Sequence, residues 1–306
     1  MMETKIHCFR VAGLLFEIML PNICSVEKLL PSFYPFYLED CERCPSEQSI
    51  FRLIAMSLHL EKDSSFTLLK NEFSLLGAEC KLSESKEYYL LEIHYGSKGR
   101  AHKMKVSRNF AQAQAYIDIE SFHASEVLSI FLMFTFAQRG LFYGTFLLHA
   151  SVIEKNGVGY AFLGKSGTGK STHTRLWVEN IACTTLLNDD NPAVQVCPKT
   201  GNILISGTPW SGKTDCYKNR TVRLGALVRL KQEKNNKLMW TEQFEAFLSI
   251  LPGCSSMRWD NILYSVLCNI VESVVKEVPV ALLECQPDKS AAILCYEEIK
   301  IKTQKY

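Results

Sequence analysis

One run, Gly164-Lys165-Ser166-Gly167-Thr168-Gly169-Lys170-Ser171, fits the phosphate-binding pattern G-x-x-x-x-G-K-[ST], and it restricts the surrounding fold more than any other stretch of the chain. Such a loop follows a strand and opens a helix, because its amides converge on a phosphate only when the helix begins directly after the turn. The flanks comply. Val158–Leu163 is a short apolar run of the kind a buried parallel strand shows, and residues 171–180 contain neither Pro nor Gly and carry Leu176 and Trp177. The expected ligand is a nucleotide, a plain glycine-rich turn being the alternative. Gly164, Lys165, Ser166, Gly167, Thr168 and Gly169 would wrap its phosphates, Lys170 would reach the β- and γ-phosphates, and Ser171 would offer its hydroxyl to Mg²⁺.

Gly207-Thr208-Pro209-Trp210-Ser211-Gly212-Lys213-Thr214 matches the same pattern. The residues after it, 215–221, have no apolar period, and Pro209 beside Trp210 stiffens the turn. This segment reads as a loop that closes over the first site, or else as an ordinary turn between strands. Asn188-Asp189-Asp190-Asn191 follows the apolar Leu186-Leu187, which places two carboxylates at a strand end, where phosphoryl transfer needs an acid for Mg²⁺ and a base for the nucleophile. A polar turn is the plainer reading of the same residues.

The chain has 306 residues and a net charge of only +2, so its electrostatics offer nothing to nucleic acid or an anionic membrane. The longest apolar stretch, 127–137, is too short to span a bilayer. The apolar run 11–20 is broken by Glu17 and lacks a clear cleavage site, which argues against a signal peptide. Several of the twelve cysteines, Cys183, Cys197, Cys268, Cys285 and Cys295, sit in or beside apolar runs and read as reduced core thiols. The expected compartment is the cytoplasm. Cys41-Glu42-Arg43-Cys44 lacks the second ligand pair that structural zinc requires.

Alternating or apolar runs at 5–19, 65–69, Tyr88–His94 and 115–119, punctuated by Pro21, Pro31, Pro35 and Gly96, predict a β-rich N-terminal domain over 1–125, its role not legible. Residues 126–139 read as a linking helix. Over 126–306 the expectation is a strand-rich α/β P-loop domain, with strands at 146–153, Val158–Leu163, 185–187, 193–197, Ile203–Ser206 and 224–230 and helices at 171–180 and 260–276.

Leu148-His149-Ala150-Ser151, Gly157-Val158-Gly159, the P-loop and Asp189-Asp190 together resemble the catalytic domain of the HPr kinase/phosphorylase family. Thr172 after the loop and Gly207-Thr208-Pro209-Trp210 resemble that family's HPr-kinase-related branch. The resemblance is carried by residues 141–230. It implies the P-loop fold shared with phosphoenolpyruvate carboxykinase, with Thr172 joining the nucleotide-binding set, and transfer of the ATP γ-phosphoryl to a serine hydroxyl. By the same resemblance His149 falls at the family's active-site histidine and Asp190 at its proton-accepting aspartate. Asp189 lies beside it as a metal-binding or orienting carboxylate. Arg258, at a family-like distance before Val278-Pro279-Val280, is a candidate for the catalytic arginine, a solvated surface arginine being the alternative.

The chain departs from the family at Leu204 and Ser206, where a metal-binding glutamate and an arginine are expected, and Lys213 is the candidate replacement cation. Ala281-Leu282-Leu283-Glu284 stands where the family has a basic segment, which argues against the reverse phosphorolysis, and the N-terminal module does not match. The expected function is an ATP- and Mg²⁺-dependent kinase acting on a hydroxyl, serine of a protein or peptide, with its oligomeric state open. The alternative is a non-catalytic nucleotide-sensing module that docks a partner protein.

Overall fold

The computed structural model describes residues 3–39, 47–56, 65–75, 78–95, 101–212 and 214–303. Cys41, Cys44, Gly96 and Lys213 lie outside them. The chain forms a mixed α/β, strand-rich structure in two units, Met1–Gly140 and Leu141–Tyr306. The division expected at 125/126 thus falls after the linking helix, which belongs to the first unit.

The apolar run broken by Glu17 becomes half of a hairpin. β1 (Thr4–Val11) and β2 (Leu14–Pro21) pair antiparallel, and Glu17 lies opposite Arg52 of the parallel neighbour β4 (Arg52–Met56). The other strands are β3 (Tyr37–Leu38), β5 (Thr67–Leu75), β6 (Ala78–Glu84), β7 (Tyr88–His94), β8 (His102–Ser107) and β9 (Gln112–Tyr116). They form a nine-stranded sheet in the order β3-β1-β2-β4-β9-β8-β7-β6-β5. A single turn, α1 (Val26–Leu29), follows β2, and α2 (Ala124–Arg139) packs on β8 and β9. Phe16 stacks on Phe51 and meets Phe136 of α2 edge-on, so aromatic burial ties this helix to the sheet.

The second unit holds β10 (Thr145–Leu147), β11 (Ala150–Lys155), β12 (Val158–Leu163), β13 (Thr184–Asp190), β14 (Ala193–Val196), β15 (Ile203–Ser206), β16 (Thr221–Gln232), β17 (Lys237–Trp240) and β18 (Val280–Cys285). Its sheet runs β10-β14-β15-β16-β12-β11-β13, with β18 joining β16 to β17. Among its described residues the parallel pairs are β12–β16 and β16–β18. The single strand expected at 146–153 is split at Leu148-His149, and its halves sit at distant places in the sheet.

Helix α3 (Lys170–Asn180) and helix α5 (Asn261–Glu277) appear as expected, and the chain adds α4 (Gln243–Ile250) and α6 (Lys289–Thr303). On α5 the buried residues Leu263, Leu267, Ile270, Val271 and Val274 recur at helical spacing. Trp177 of α3, Phe162 of β12 and Ala291, Ala292 and Cys295 of α6 share one buried cluster. Ten cysteines among the described residues are free; Cys285 and Cys295 are buried, whereas Cys183, read as a core thiol, is exposed. No helix among the described residues is long and apolar enough to cross a membrane.

Glu17 is 1% exposed and accepts from Arg52 Nε at 2.7 Å. Removing the cation leaves a charge buried without its partner guanidinium, so Arg52→Leu is expected to cost about 2 kcal/mol or more, and Glu17→Leu in the same chain to restore most of that loss. Urea midpoints of the single and double variants check this, and a double variant as weak as Arg52→Leu alone would refute it.

Candidate functional site

β12 delivers the chain at Leu163 into the glycine loop, and α3 begins at its far end. Gly169, the residue before the helix, has φ +102°, a conformation that costs a side-chain-bearing residue dearly. Thr168 folds the loop on itself, its amide and hydroxyl both donating to the Lys165 carbonyl at 3.1 and 2.7 Å. Lys165, Ser166 and Gly167 are exposed, and Thr172 is half-buried on the first turn of α3.

Two buried contacts fix α3 under this loop, and one within the helix, from Trp177 to His173, holds the ring that makes the second. Ser151 and Thr174 share a hydroxyl hydrogen bond of 3.0 Å, Trp177 Nε1 donates to His173 Nε2 at 3.0 Å, and the His173 ring meets Phe162 edge-on at 4.7 Å. Burial lowers the His173 pKa from 6.5 to about 4, so the ring is neutral and free to accept from the indole.

The helix start then sets two adjacent side chains. Lys170 is only 9% exposed; its Nζ donates to the Gly164 carbonyl at 3.0 Å and lies 2.8 Å from His149 Nε2. Burial pulls its pKa down, and the charges of Asp190 and Asp189 pull the other way. Ser171 Oγ donates to Asp189 Oδ1 at 2.9 Å. His149 Nδ1 lies 2.9 Å from Asp190 Oδ1, and Asn191 Nδ2 donates to Asp190 Oδ2 at 2.8 Å. The sequence-derived residues His149, Lys170, Ser171, Asp189 and Asp190 therefore meet at one place in two adjacent hydrogen-bonded sets, Lys170–His149–Asp190 and Ser171–Asp189.

His149 occupies the break between β10 and β11, where its own amide donates to the Gly253 carbonyl at 2.8 Å. Asp190 ends β13 with φ +143°, a strained backbone for a residue with a side chain, of the kind that concentrates at functional sites. The second glycine-rich segment holds this strained turn. Asp190 bridges to Ser211, the Gly212 amide and Ser211 hydroxyl donate to the Asp189 carbonyl, and Thr208 donates to Asn191 O at 2.7 Å. A Cβ on Gly212 would lie 3.0 Å from Asp189 O, a tight contact that favours glycine at this close approach. No helix follows this segment, as expected.

Arg258 donates to the carbonyls of Leu251 and Pro252 at 3.2 and 2.8 Å. It thus braces the turn whose Gly253 carbonyl holds the His149 backbone. Residues the sequence reading left without roles are Asn188, whose Nδ2 donates to Thr208 O at 3.2 Å, and Gln232, whose amide reaches the Gly167 and Thr168 carbonyls at 3.3 and 3.4 Å. Asn188 and Asn191 flank the aspartates, but nothing in their spacing announces a partner near residue 208.

The donor set suits Mg²⁺: a hydroxyl and a carboxylate, both hard oxygens, lie side by side at the helix start. Among the described residues no group of three or more His, Cys, Asp or Glu side chains is arranged to hold a metal, and a phosphate-bound Mg²⁺ needs fewer protein ligands than that. A cavity of about 730 Å³ adjoins the loop, bordered by Gly164–Thr168 residues on one side and by Arg229, Gln232, Glu245 and Ser249 on the other.

No family model matches the chain, and no curated protein matches it in sequence. Among solved structures, the HPr(Ser) kinase/phosphatase from Coxiella burnetii is similar at a TM-score of 0.33 and 13% identity, over 52% of this chain and 93% of that one.

The lowered pKa of His173 sets a pH dependence. Below its ordinary pKa of 6.5 the unfolded chain binds a proton that the folded chain takes up only near pH 4, so stability falls as pH drops through that window. The full effect is about 3 kcal/mol. His173→Gln keeps an acceptor for Trp177 and is expected to flatten this part of the slope; unfolding midpoints between pH 4 and 7 that decline equally in both proteins would refute it.

Proposed function

We propose that the Leu141–Tyr306 unit is an ATP- and Mg²⁺-dependent kinase of the HPr-kinase-like class, with a P-loop fold of the phosphoenolpyruvate carboxykinase type, acting on a hydroxyl of serine in a protein or peptide. The observation that carries the reading is the meeting of Lys170 and Ser171, at the start of α3, with His149, Asp189 and Asp190 in two adjacent hydrogen-bonded sets beside the glycine loop.

Bound Mg·ATP supplies the labile γ-phosphoryl and the divalent charge that spreads over its oxygens. In this reading Lys170 and the amides from Gly164 to Ser171 hold the phosphates, with Thr172 beside them, and Ser171 and Asp189 hold the metal. The Asp190–His149 pair takes the proton of the acceptor hydroxyl. Arg258 and Lys213 are the proposed further cations for the charge on the moving phosphoryl. The free thiols accord with the cytoplasm as the proposed compartment.

One observation favours a second reading, a nucleotide sensor without turnover. At the end of β15 Ser206 is buried and shares a 2.8 Å hydrogen bond with Thr221, so that strand brings neither the acid nor the arginine of the family pattern to the site.

Transfer of label from γ-labelled ATP to serine hydroxyls in cell extract separates the two: a sensor binds nucleotide and transfers nothing. Lys170→Ala is expected to weaken Mg·ATP binding by about ten- to a hundredfold, the worth of a charge-assisted hydrogen bond. Calorimetry showing unchanged affinity would remove the phosphate-binding role. Because the 207–214 segment leads to no helix, one nucleotide is expected per chain, and a stoichiometry of two would contradict that.

A further inference from the structure

We infer, on the kinase reading above, that His149 rather than Asp190 receives the acceptor's proton, and that Lys170 withholds it from that task until a nucleotide is bound. An ammonium only donates, so at 2.8 Å from Lys170 Nζ the His149 Nε2 atom accepts and carries a lone pair. The ring proton is then on Nδ1, which donates to Asp190 Oδ1 at 2.9 Å. The other oxygen of Asp190 accepts from Asn191 at 2.8 Å. Asp190 is thereby an orienting carboxylate, and the imidazole is the group with a lone pair aimed into the site, the arrangement of base and orienter found in Ser–His–Asp triads.

In the nucleotide-free chain that lone pair is occupied. Lys170 divides its donors between Gly164 O and His149 Nε2, one a neutral carbonyl and the other a neutral ring. Phosphate oxygens are charged acceptors and outcompete both. Lys170 therefore turns from the ring as phosphates enter the loop, and Nε2 opens at the place the ammonium has left, next to the phosphoryl that is to move. The acceptor's O–H proton passes to Nε2 as its oxygen bonds to the γ-phosphorus. The bond from that phosphorus to its bridging oxygen breaks, the electron pair leaves on ADP, and the imidazolium returns its proton to solvent. The base is competent only when the donor is loaded.

The test uses the full chain labelled with ¹⁵N-histidine, the His149 signals assigned by their loss in His149→Gln. Mg²⁺ with a non-hydrolysable ATP analogue is expected to shift the Nε2 resonance to that of an acceptor without its ammonium partner, while Nδ1 keeps its proton. Lys170→Ala is expected to show the shifted Nε2 signal without nucleotide. Asp190→Asn offers an amide donor to Nδ1, so the ring proton moves to Nε2. The analogue should then bind within a few-fold of wild type, while label transfer falls by about 10³- to 10⁴-fold, the scale of a wrong tautomer in a base–orienter pair. An analogue that binds by calorimetry and leaves Nε2 unmoved overturns the inference and spares the nucleotide site. So does an Asp190→Asn chain that loses transfer with its ring proton still on Nδ1. An analogue that fails to bind overturns the kinase reading and this inference with it.

Discussion

A lysine ammonium nearly removed from water sets the terms for everything around the glycine loop. Burial disfavours its charge, and the chain answers with a carbonyl, an imidazole and two nearby carboxylates, drawn from three places in the chain. The carbonyl belongs to the loop, the imidazole to the break between β10 and β11, and the carboxylates to the end of β13. Sheet order makes the convergence possible. β11 lies between β12 and β13, so the strand that begins beside His149 separates the strand that feeds the loop from the strand that ends in the aspartates.

The glycine loop, its strand and its helix were legible because their signals are local: fixed residue types at fixed spacing, an apolar run before them and no helix breaker after them. The aspartate pair was legible for the same reason. His149 was not, since a histidine within an apolar stretch has no distinguishing period, and only the resemblance to a known family singled it out. It sits where one expected strand splits into β10 and β11, and the backbone bonds at that break run to Pro192 and Gly253, far along the chain.

The missed elements have separate causes. β18 is a short run whose strand character comes from pairing with β16 and β17, and α6 begins at a cap, Asp288, whose carboxylate accepts from Ala291 N at 2.8 Å. α4 spans just Gln243–Ile250, little more than two turns, which gives an amphipathic pattern scant room to show. In the first unit, the β-rich character was readable from alternation, whereas the assignment of α2 to that unit rests on aromatic packing that composition alone does not reveal. Glu17 interrupted an apolar run in the sequence and in the fold is the partner of Arg52.

The second glycine-rich segment resembles a mobile phosphate loop in sequence, yet over its described residues 207–212 it is tied down by Gly212 N to Asp189, Trp210 N to Thr208 and Thr208 Oγ1 to Asn191. Trp210 is 2% exposed. Swinging such a segment outward would strip several buried hydrogen bonds at once and expose an indole. It therefore stands as a wall of the site, and the cavity beside the glycine loop lies away from it, bordered by Gln232 and by the face of α4 that carries Glu245 and Ser249. For the kinase proposed above, that placement would leave the acceptor hydroxyl an approach from the α4 side and none across the 208–212 wall.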